Sequence, residues 1–252
     1  MLEIIKTKSY QTLSKKAALE VEKQILGKSN STLLLPTGNT QIGLYTELVK
    51  TYQAGKISFK NAVAFNLDEY VGIKKENRRS FAYFMNKYFY SKIDIKKENI
   101  FIPDCATPDP QKEVRNYVST LEKYQPIDLC LLGIGQNGHI GFNEPGSDPR
   151  SASQVVNLDA VTIAVNQGPE MAMTVGVPTI LKSKKIILLA SGKNKAKAIK
   201  EAIEGEINPL CPASYLQSHS NVMFILDEEA ASLLANTPYF SHELAEGSPA
   251  NS

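Results

Sequence analysis

Apolar residues occur along the chain in short, uninterrupted runs bounded by polar or turn-forming residues. We predict that five of these runs are strands: residues 32–36 (TLLLP), 62–67 (AVAFNL), 127–134 (IDLCLLGI), 185–191 (KIILLAS) and 221–226 (NVMFIL). Strands that are apolar on both faces are typical of a parallel sheet covered by helices on both sides. The pattern therefore predicts a mostly parallel, buried sheet.

Amphipathic stretches lie between these runs and predict helices. The apolar positions recur with helical spacing at Leu13, Ala17, Val21 and Ile25, and again over 42–52 and 194–205. The last stretch ends at Gly205, a residue typical of helix C-termini. Alternation of strands and helices predicts an α/β fold, in which a doubly wound sheet is flanked by helices and joined by right-handed crossovers. We expect residues 1–252 to form one domain with a frayed tail near 245–252.

Charge and composition narrow the function classes. The net charge is +2 and the basic residues are scattered, which disfavours nucleic acid as a partner. No apolar run approaches the ~18 residues of a membrane span, and the first residues lack a secretory apolar core. The three cysteines, at 105, 130 and 211, are far apart and match neither a disulfide framework nor a zinc motif. Reduced thiols in a cytoplasmic protein are the expectation.

Polar, glycine-containing loops follow four of the predicted strands, at the sheet edge where doubly wound folds bind ligands. In LPTGNTQIGLY (35–45), Gly38 lets the backbone approach a ligand, and Asn39 or Thr40 can cap the next helix. The helix N-terminus favours an anion such as phosphate. The same residues also suit an ordinary strand-to-helix turn, and the stretch is neither a Walker loop nor a dinucleotide fingerprint.

Two adjacent carboxylates follow the second predicted strand in FNLDEYVGI (65–73). Side chains of neighbouring residues in extended backbone point apart, so only one of Asp68 and Glu69 is expected to face a site. A carboxylate at that position can act as a general base. The alternative is a turn carboxylate that caps the next helix.

The loop GIGQNGHIGFNEPGS (133–147) combines four glycines with one of the chain's three histidines. Histidine changes protonation near neutral pH, and a carboxylate folded back towards His139 from Glu144 would orient its ring for acid–base work. A structural histidine is the alternative. His219 and His242 lie outside such loops and are expected to be surface or structural residues. Because the histidines are dispersed, we predict no catalytic metal.

Lysines cluster at the fourth junction, LLASGKNKAKAIK (188–200). A lysine early in a helix is unfavourable next to the positive end of the helix dipole unless an anion lies nearby. Lys195 is therefore a candidate phosphate ligand, and a solvated lysine-rich face is the alternative.

Taken together, these motifs resemble the glucosamine-6-phosphate deaminase/isomerase family. The matching stretches, in family order, are LPTGNTQIGLY, FNLDEYVGI, SFAYFMNKYF, LLGIGQNGHIGFNEPG, AMTVGVPTI and CPASYLQSHSNVMFILD. The resemblance implies a cytoplasmic enzyme on a modified Rossmann-like fold that converts glucosamine 6-phosphate and water to fructose 6-phosphate and ammonium without a cofactor. Its partner would be an amino sugar phosphate, not nucleic acid or membrane, and self-association into a homo-oligomer is left open.

The resemblance also implies roles for individual residues. Asp68 would move a proton between carbon 2 and carbon 1 of the open sugar. His139 would open the pyranose ring with help from Asn137 and Glu144. The phosphate-binding set would be Gly38, Asn39, Thr40 and Lys195.

The chain departs from the family pattern in two places. Some relatives carry aspartate where this chain has Asn137, so Glu144 alone would stabilise a charged His139. Many relatives also have a longer segment after TIA, with an Arg-Phe-Phe that supplies a phosphate-binding arginine on a mobile lid. Here the segment 164–168 is short and contains no arginine. This difference keeps galactosamine 6-phosphate open as the substrate.

Two further alternatives have weaker support. A 6-phosphogluconolactonase on the same fold would tend to show DER and GHTASLFP, whereas this chain has DEY and GHIGFNEP. A catalytically silent sugar-phosphate sensor would lack the base and the ring opener, yet Asp68, His139 and Glu144 are all present.

Overall fold

A computed structural model of the chain describes residues 2–235 and 240–242. The strands are β1 (Leu2–Thr7), β2 (Thr32–Leu35), β3 (Val63–Asn66), β4 (Asp68–Tyr70), β5 (Ile100–Phe101), β6 (Leu129–Leu132), β7 (Ser153–Asn157), β8 (Met171–Val175), β9 (Ile186–Ala190), β10 (Val222–Asp227) and β11 (Phe240–His242). The helices are α1 (Tyr10–Gly27), α2 (Asn39–Gln53), α3 (Phe81–Tyr88), α4 (Pro110–Glu122), α5 (Ala160–Asn166), α6 (Val177–Leu181) and α7 (Ala196–Glu204). Short 3₁₀ helices occupy Tyr90–Lys92, Lys97–Asn99, Lys193–Lys195 and Pro212–Ser218.

Eight of the described strands form one parallel sheet in the order β11-β1-β10-β9-β6-β2-β3-β5. The five predicted strands are its β2, β3, β6, β9 and β10, so the prediction of a mostly parallel α/β sheet is confirmed. Strand β1 at Leu2–Thr7 was not predicted. Its two isoleucines stand between a glutamate and a lysine, so the sequence LEIIKT contains no long apolar run.

Side chains alternate across the sheet into two cores. On one face Leu33, Leu129 and Ile187 pack with residues of α1, α2 and α3. On the other, Leu34 and Leu188 pack with residues of α4, α6 and α7. Both faces are therefore covered, which explains why the strands have no polar side.

The connections explain where a crevice must open. Crossovers through α1, α2 and α3 run towards β5, and those through α4, α6 and α7 run back towards β1. Strands β2 and β6 are neighbours in the sheet, but the connections that leave them run to opposite sides: the chain passes from β2 to β3 and from β6 to β9. Loops that diverge from adjacent carboxyl ends leave a gap between them, which is the switch point where such sheets bind ligands.

A second, antiparallel sheet of β4, β8 and β7 covers one side of this gap. The sequence pattern did not predict it, because DEY and SQVVN lack a long apolar run. No helix within the described part of the chain is long and apolar enough to cross a bilayer. The tail near 245–252, predicted to be frayed, and the side chain of His242 lie outside the described residues.

Candidate active site

A cavity of about 620 Å³ opens at the switch point. Its walls come from the loops after β2, β6 and β9, from β4, and from the segments 78–84 and 161–168. Seven of the predicted site residues line it, namely Gly38, Asn39, Thr40, Asp68, Asn137, His139 and Lys195. The eighth, Glu144, is buried and contacts two of them.

The loop after β2 presents bare helix amides to the cavity. Gly38 is the N-cap of α2 and has a φ of 113°, a conformation that strongly favours glycine. No side chain caps this helix, so the expectation that Asn39 or Thr40 does so is wrong. Both residues already lie in the first turn of α2, where their backbone N–H groups point outward from the helix start. The uncapped amides are available to an anion.

Asp68 and Glu69 point in opposite directions, as their extended backbone predicts. Glu69 accepts backbone N–H groups of Tyr70, Phe81 and Ala82, each at 2.9 Å, and so caps α3. Asp68 faces the cavity, and no hydrogen-bond donor in the described chain reaches its carboxyl group. Burial, with a smaller contribution from the charge on Glu69, raises the pKa of Asp68 to about 8. This carboxyl group consequently has the high proton affinity expected of a base.

His139 is held by a carboxylate and an amide. Its Nδ1 lies 3.2 Å from Oε2 of Glu144, and the same oxygen accepts a hydrogen bond from Nδ2 of Asn137 at 2.8 Å. Burial works to raise the pKa of Glu144, but the hydrogen bonds and charge of His139, Thr162 and Asn137 outweigh it and lower the pKa. An ionised Glu144 fixes the proton of His139 on Nδ1 and leaves Nε2 as the nitrogen available to a ligand.

The glycine pattern of this loop has a steric cause. A Cβ atom on Gly135 would lie 2.4–2.6 Å from three ring atoms of His139, so the ring packs directly on bare backbone. The N–H of Gly135 also donates to the carbonyl of His139 at 2.9 Å. The glycine therefore lets the histidine ring fold back against its own loop.

Lys195 is half-buried at the start of α7, where burial lowers its pKa, whereas Lys193, Lys197 and Lys200 are exposed. The loop before it is fixed by Asp227, which accepts the Ser191 hydroxyl and the Gly192 N–H. The lysine cluster thus divides into one side chain in the cavity and a solvated face.

His219 is structural, because its Nε2 lies 2.7 Å from the carbonyl oxygen of Ser183.

Several cavity residues were not predicted from the sequence, and Thr162, Arg78 and Arg79 are among them. Thr162 reaches His139 Nδ1 at 3.4 Å, and Arg78 and Arg79 lie on the loop between β4 and α3. The paired arginines in ENRRSF were a usable signal, since they stand in a loop that follows a strand end.

In residues 2–235 and 240–242, no three His, Cys, Asp or Glu residues are grouped to hold a metal ion. The absence of a metal requirement stays a prediction.

The model of the glucosamine-6-phosphate isomerase/6-phosphogluconolactonase family matches residues 6–225. A glucosamine-6-phosphate deaminase of Thermoanaerobacter sp. (strain X514) is 46% identical over 241 residues, covering 92% of this chain and 95% of the relative. That of Pseudoalteromonas translucida (strain TAC 125) is 43% identical, covering 92% and 90%.

Solved structures agree with these sequence relatives. A monomeric glucosamine-6-phosphate deaminase, described as a missing link of the NagB superfamily, is 40% identical with a TM-score of 0.90, covering 92% of this chain and 100% of that one. The 6-phosphogluconolactonase of Trypanosoma brucei is 20% identical with a TM-score of 0.80, covering 93% and 99%, and shares the fold.

Proposed function

The chain belongs to the glucosamine-6-phosphate isomerase/6-phosphogluconolactonase family, and within it we propose that the protein is a glucosamine-6-phosphate deaminase. It converts glucosamine 6-phosphate and water to fructose 6-phosphate and ammonium. The observation that carries this proposal is the buried Asp68 carboxyl group, which lines the same cavity as a histidine paired with Glu144. Removal of a proton from carbon needs such a base, whereas hydrolysis of a lactone removes no carbon-bound proton.

Ring opening is the first step, since the substrate is a closed pyranose. His139 Nε2 accepts the proton of the anomeric hydroxyl at carbon 1, and the protonated ring returns a proton to the ring oxygen as the bond from carbon 1 breaks. Glu144 at 3.2 Å from Nδ1 stabilises the transient positive charge. Positioned acid–base groups of this kind typically contribute about 10²–10⁴-fold.

Isomerisation follows at Asp68. The carboxylate removes the proton from carbon 2 while a proton of the substrate's 2-ammonium group passes to the aldehyde oxygen, which gives an enaminol. Asp68 then returns its proton to carbon 1, which gives the protonated 2-imine of fructose 6-phosphate. Water then adds to carbon 2 and ammonia leaves. The buried position of Asp68 supports this role, because a site that raises its pKa to about 8 makes it a stronger base than an exposed aspartate.

The phosphate is bound by other residues that line the same cavity. The uncapped N-terminus of α2 at Gly38, Asn39 and Thr40 supplies backbone amides, and Lys195 supplies a positive charge. Three free, buried cysteines support a cytoplasmic location, in line with the absence of disulfides from reducing compartments.

The test is release of ammonium, measured with purified protein on glucosamine 6-phosphate, galactosamine 6-phosphate and 6-phosphogluconolactone. We expect ammonium and fructose 6-phosphate from the glucosamine epimer, with a lower kcat/KM for the galactosamine epimer. Turnover of the lactone without ammonium from either amino sugar would overturn the proposal in favour of a lactonase.

A further inference from the structure

Arg78 and Arg79 lie on the loop between β4 and α3 and line the active-site cavity. The loop has defined internal hydrogen bonds: Asn77 Oδ1 accepts the N–H of Arg79 at 2.9 Å, and Ser80 Oγ donates to the carbonyl of Lys75 at 2.9 Å. Ser80 also caps α3 by accepting the N–H of Tyr83. Both arginines are thus carried on a fixed turn at the edge of the cavity, with exposed side chains.

The charges of these arginines are not neutralised within the protein. Arg79 donates from Nη2 to the carbonyl of Gln167, a neutral acceptor. Arg78 has no ion pair or side-chain hydrogen bond within the described residues. Among the described residues that line the cavity, Asp68 is the one carboxylate, against three cations once Lys195 is included. A cavity with this excess of positive charge favours an anionic ligand.

The Arg79 contact joins two walls of the cavity. Gln167 ends α5 with a left-handed φ of 50°, and the next residue, Gly168, packs on Tyr70 so closely that a Cβ there would lie 2.8–2.9 Å from its ring. The short segment 160–168 is therefore seated against β4 and held from the other side by Arg79. This segment itself contains no lysine or arginine, so the cations at this side of the cavity come from the loop that faces it.

We propose that Arg78 and Arg79 bind the phosphate group of the substrate through their guanidinium groups, and that they set the specificity for phosphorylated sugars. The inference rests on the proposed deaminase function. A guanidinium presents five N–H donors in a planar fork that matches phosphate oxygens, and Arg79 uses one donor on Gln167, which leaves the others for a ligand. Charge-assisted bonds of this kind are the stronger class of hydrogen bond.

The test compares Arg78→Gln, Arg79→Gln, the double variant and Arg150→Gln. Arg78→Gln removes charge without breaking a described contact, so it separates ligand binding from support of the 160–168 segment. Arg150 is a matched control, because it is exposed, pairs with Asp148 and lies outside the cavity lining. The measurements are KM and kcat with glucosamine 6-phosphate, and the inhibition constant of inorganic phosphate.

We expect KM and the phosphate inhibition constant to rise together, by about fivefold for Arg78→Gln and by more than about tenfold for the double variant, with kcat within about threefold. Arg150→Gln should leave all three unchanged. KM and inhibition constants within twofold of wild type in the double variant would overturn the inference while leaving deamination intact. If the wild type released no ammonium, the proposed function would fail, and calorimetric binding of inorganic phosphate to the same variants would still decide the role of the arginines.

Discussion

Asp68 places a carboxyl group where its charged form is unfavourable. The side chain is buried, receives no hydrogen bond from the described chain and stands next to the carboxylate of Glu69, and its pKa rises to about 8 as a result. In the folded protein the group therefore keeps its proton over a pH range in which the unfolded chain, with the ordinary value near 3.8, has lost it. The folded state binds more protons, so stability falls as the pH rises through this window.

Asp68→Asn should abolish turnover and stabilise the protein, since asparagine keeps the shape but cannot ionise. We expect kcat to fall by at least about 100-fold. The gain in the free energy of unfolding should grow from about pH 4 to about pH 8 and level off above that range. Urea unfolding at pH 5, 7 and 9 measures it. Asp148→Asn, at an exposed site, is the control, and a difference that does not change with pH would refute the buried-charge explanation.

His139 and Glu144 are predicted to serve ring opening and not the later proton transfer. In His139→Gln and Glu144→Gln, deamination of glucosamine 6-phosphate should fall much further than hydrogen exchange at carbon 1 of fructose 6-phosphate in heavy water. The exchange follows the Asp68 step, and the open keto form of fructose 6-phosphate forms without help. Nuclear magnetic resonance and ammonium assays give the two rates. Equal losses of both rates would show that the histidine loop takes part in enolisation.

At the scale of secondary-structure elements, Glu69 joins β4 to α3. Its buried carboxylate holds the first N–H groups of that helix, and Phe81 and Phe84 of the same helix line the cavity. Glu69 thus has a structural task, and the proposed chemical task belongs to the adjacent Asp68. A helix end that is buried without such acceptors would leave donors unsatisfied.

Glu69→Ala is expected to destabilise the protein by about 2–4 kcal/mol, because it leaves three backbone donors without their acceptor. Glu69→Gln retains one acceptor oxygen and should cost less than half of that. Urea unfolding of both variants at neutral pH tests this. A loss of less than about 0.5 kcal/mol in Glu69→Ala would mean that water replaces the carboxylate at no cost.

At the junction of β9 and α7, Lys195 lines the cavity and Lys197 lies on an exposed face. Lys195→Ala should raise KM for glucosamine 6-phosphate by about 5–150-fold with little change in kcat, as expected for a charged hydrogen bond to phosphate worth roughly 1–3 kcal/mol. Lys197→Ala changes an exposed lysine two residues away and should have no effect. Similar KM values for the two variants would assign Lys195 to the solvated face as well.

At the scale of the whole molecule, the sequence predicted the parts of the fold that depend on local burial. Strands such as β6 and β9 are apolar on both faces because helices cover both, and that pattern is visible in a single run of residues. The small antiparallel sheet was missed because β4 and β7 are short and largely polar, and β8, although apolar, is only five residues long. Its register is set instead by pairing between segments about 100 residues apart, as in Asp68 with Thr174.

The contrast between local sequence signals and contacts among distant segments also explains which site residues could be predicted. Asp68, His139 and Lys195 could be found because each follows an apolar strand, and a parallel sheet brings such positions to one edge. The cap assigned to Asn39 or Thr40 failed because Gly38 starts the helix without a side-chain bond. Arg79 and Thr162 were missed because their contacts, to Gln167 and His139, depend on how distant loops fold over the cavity.

Because loops from β2, β6 and β9 all line the cavity, a bound sugar phosphate should stabilise the whole chain. At about 100 times its Kd, fructose 6-phosphate would add about 2.7 kcal/mol to the free energy of unfolding. For a chain of this size that gain raises Tm by about 5–10 °C. Asp68→Asn should keep most of the rise, whereas Lys195→Ala at the same concentration should lose about a third to nine-tenths of it, as a 5–150-fold weaker Kd implies, and Lys197→Ala should lose none. Differential scanning calorimetry measures these shifts, and loss of the rise in Asp68→Asn would place Asp68 among the residues that bind the ligand rather than those that only transfer its proton.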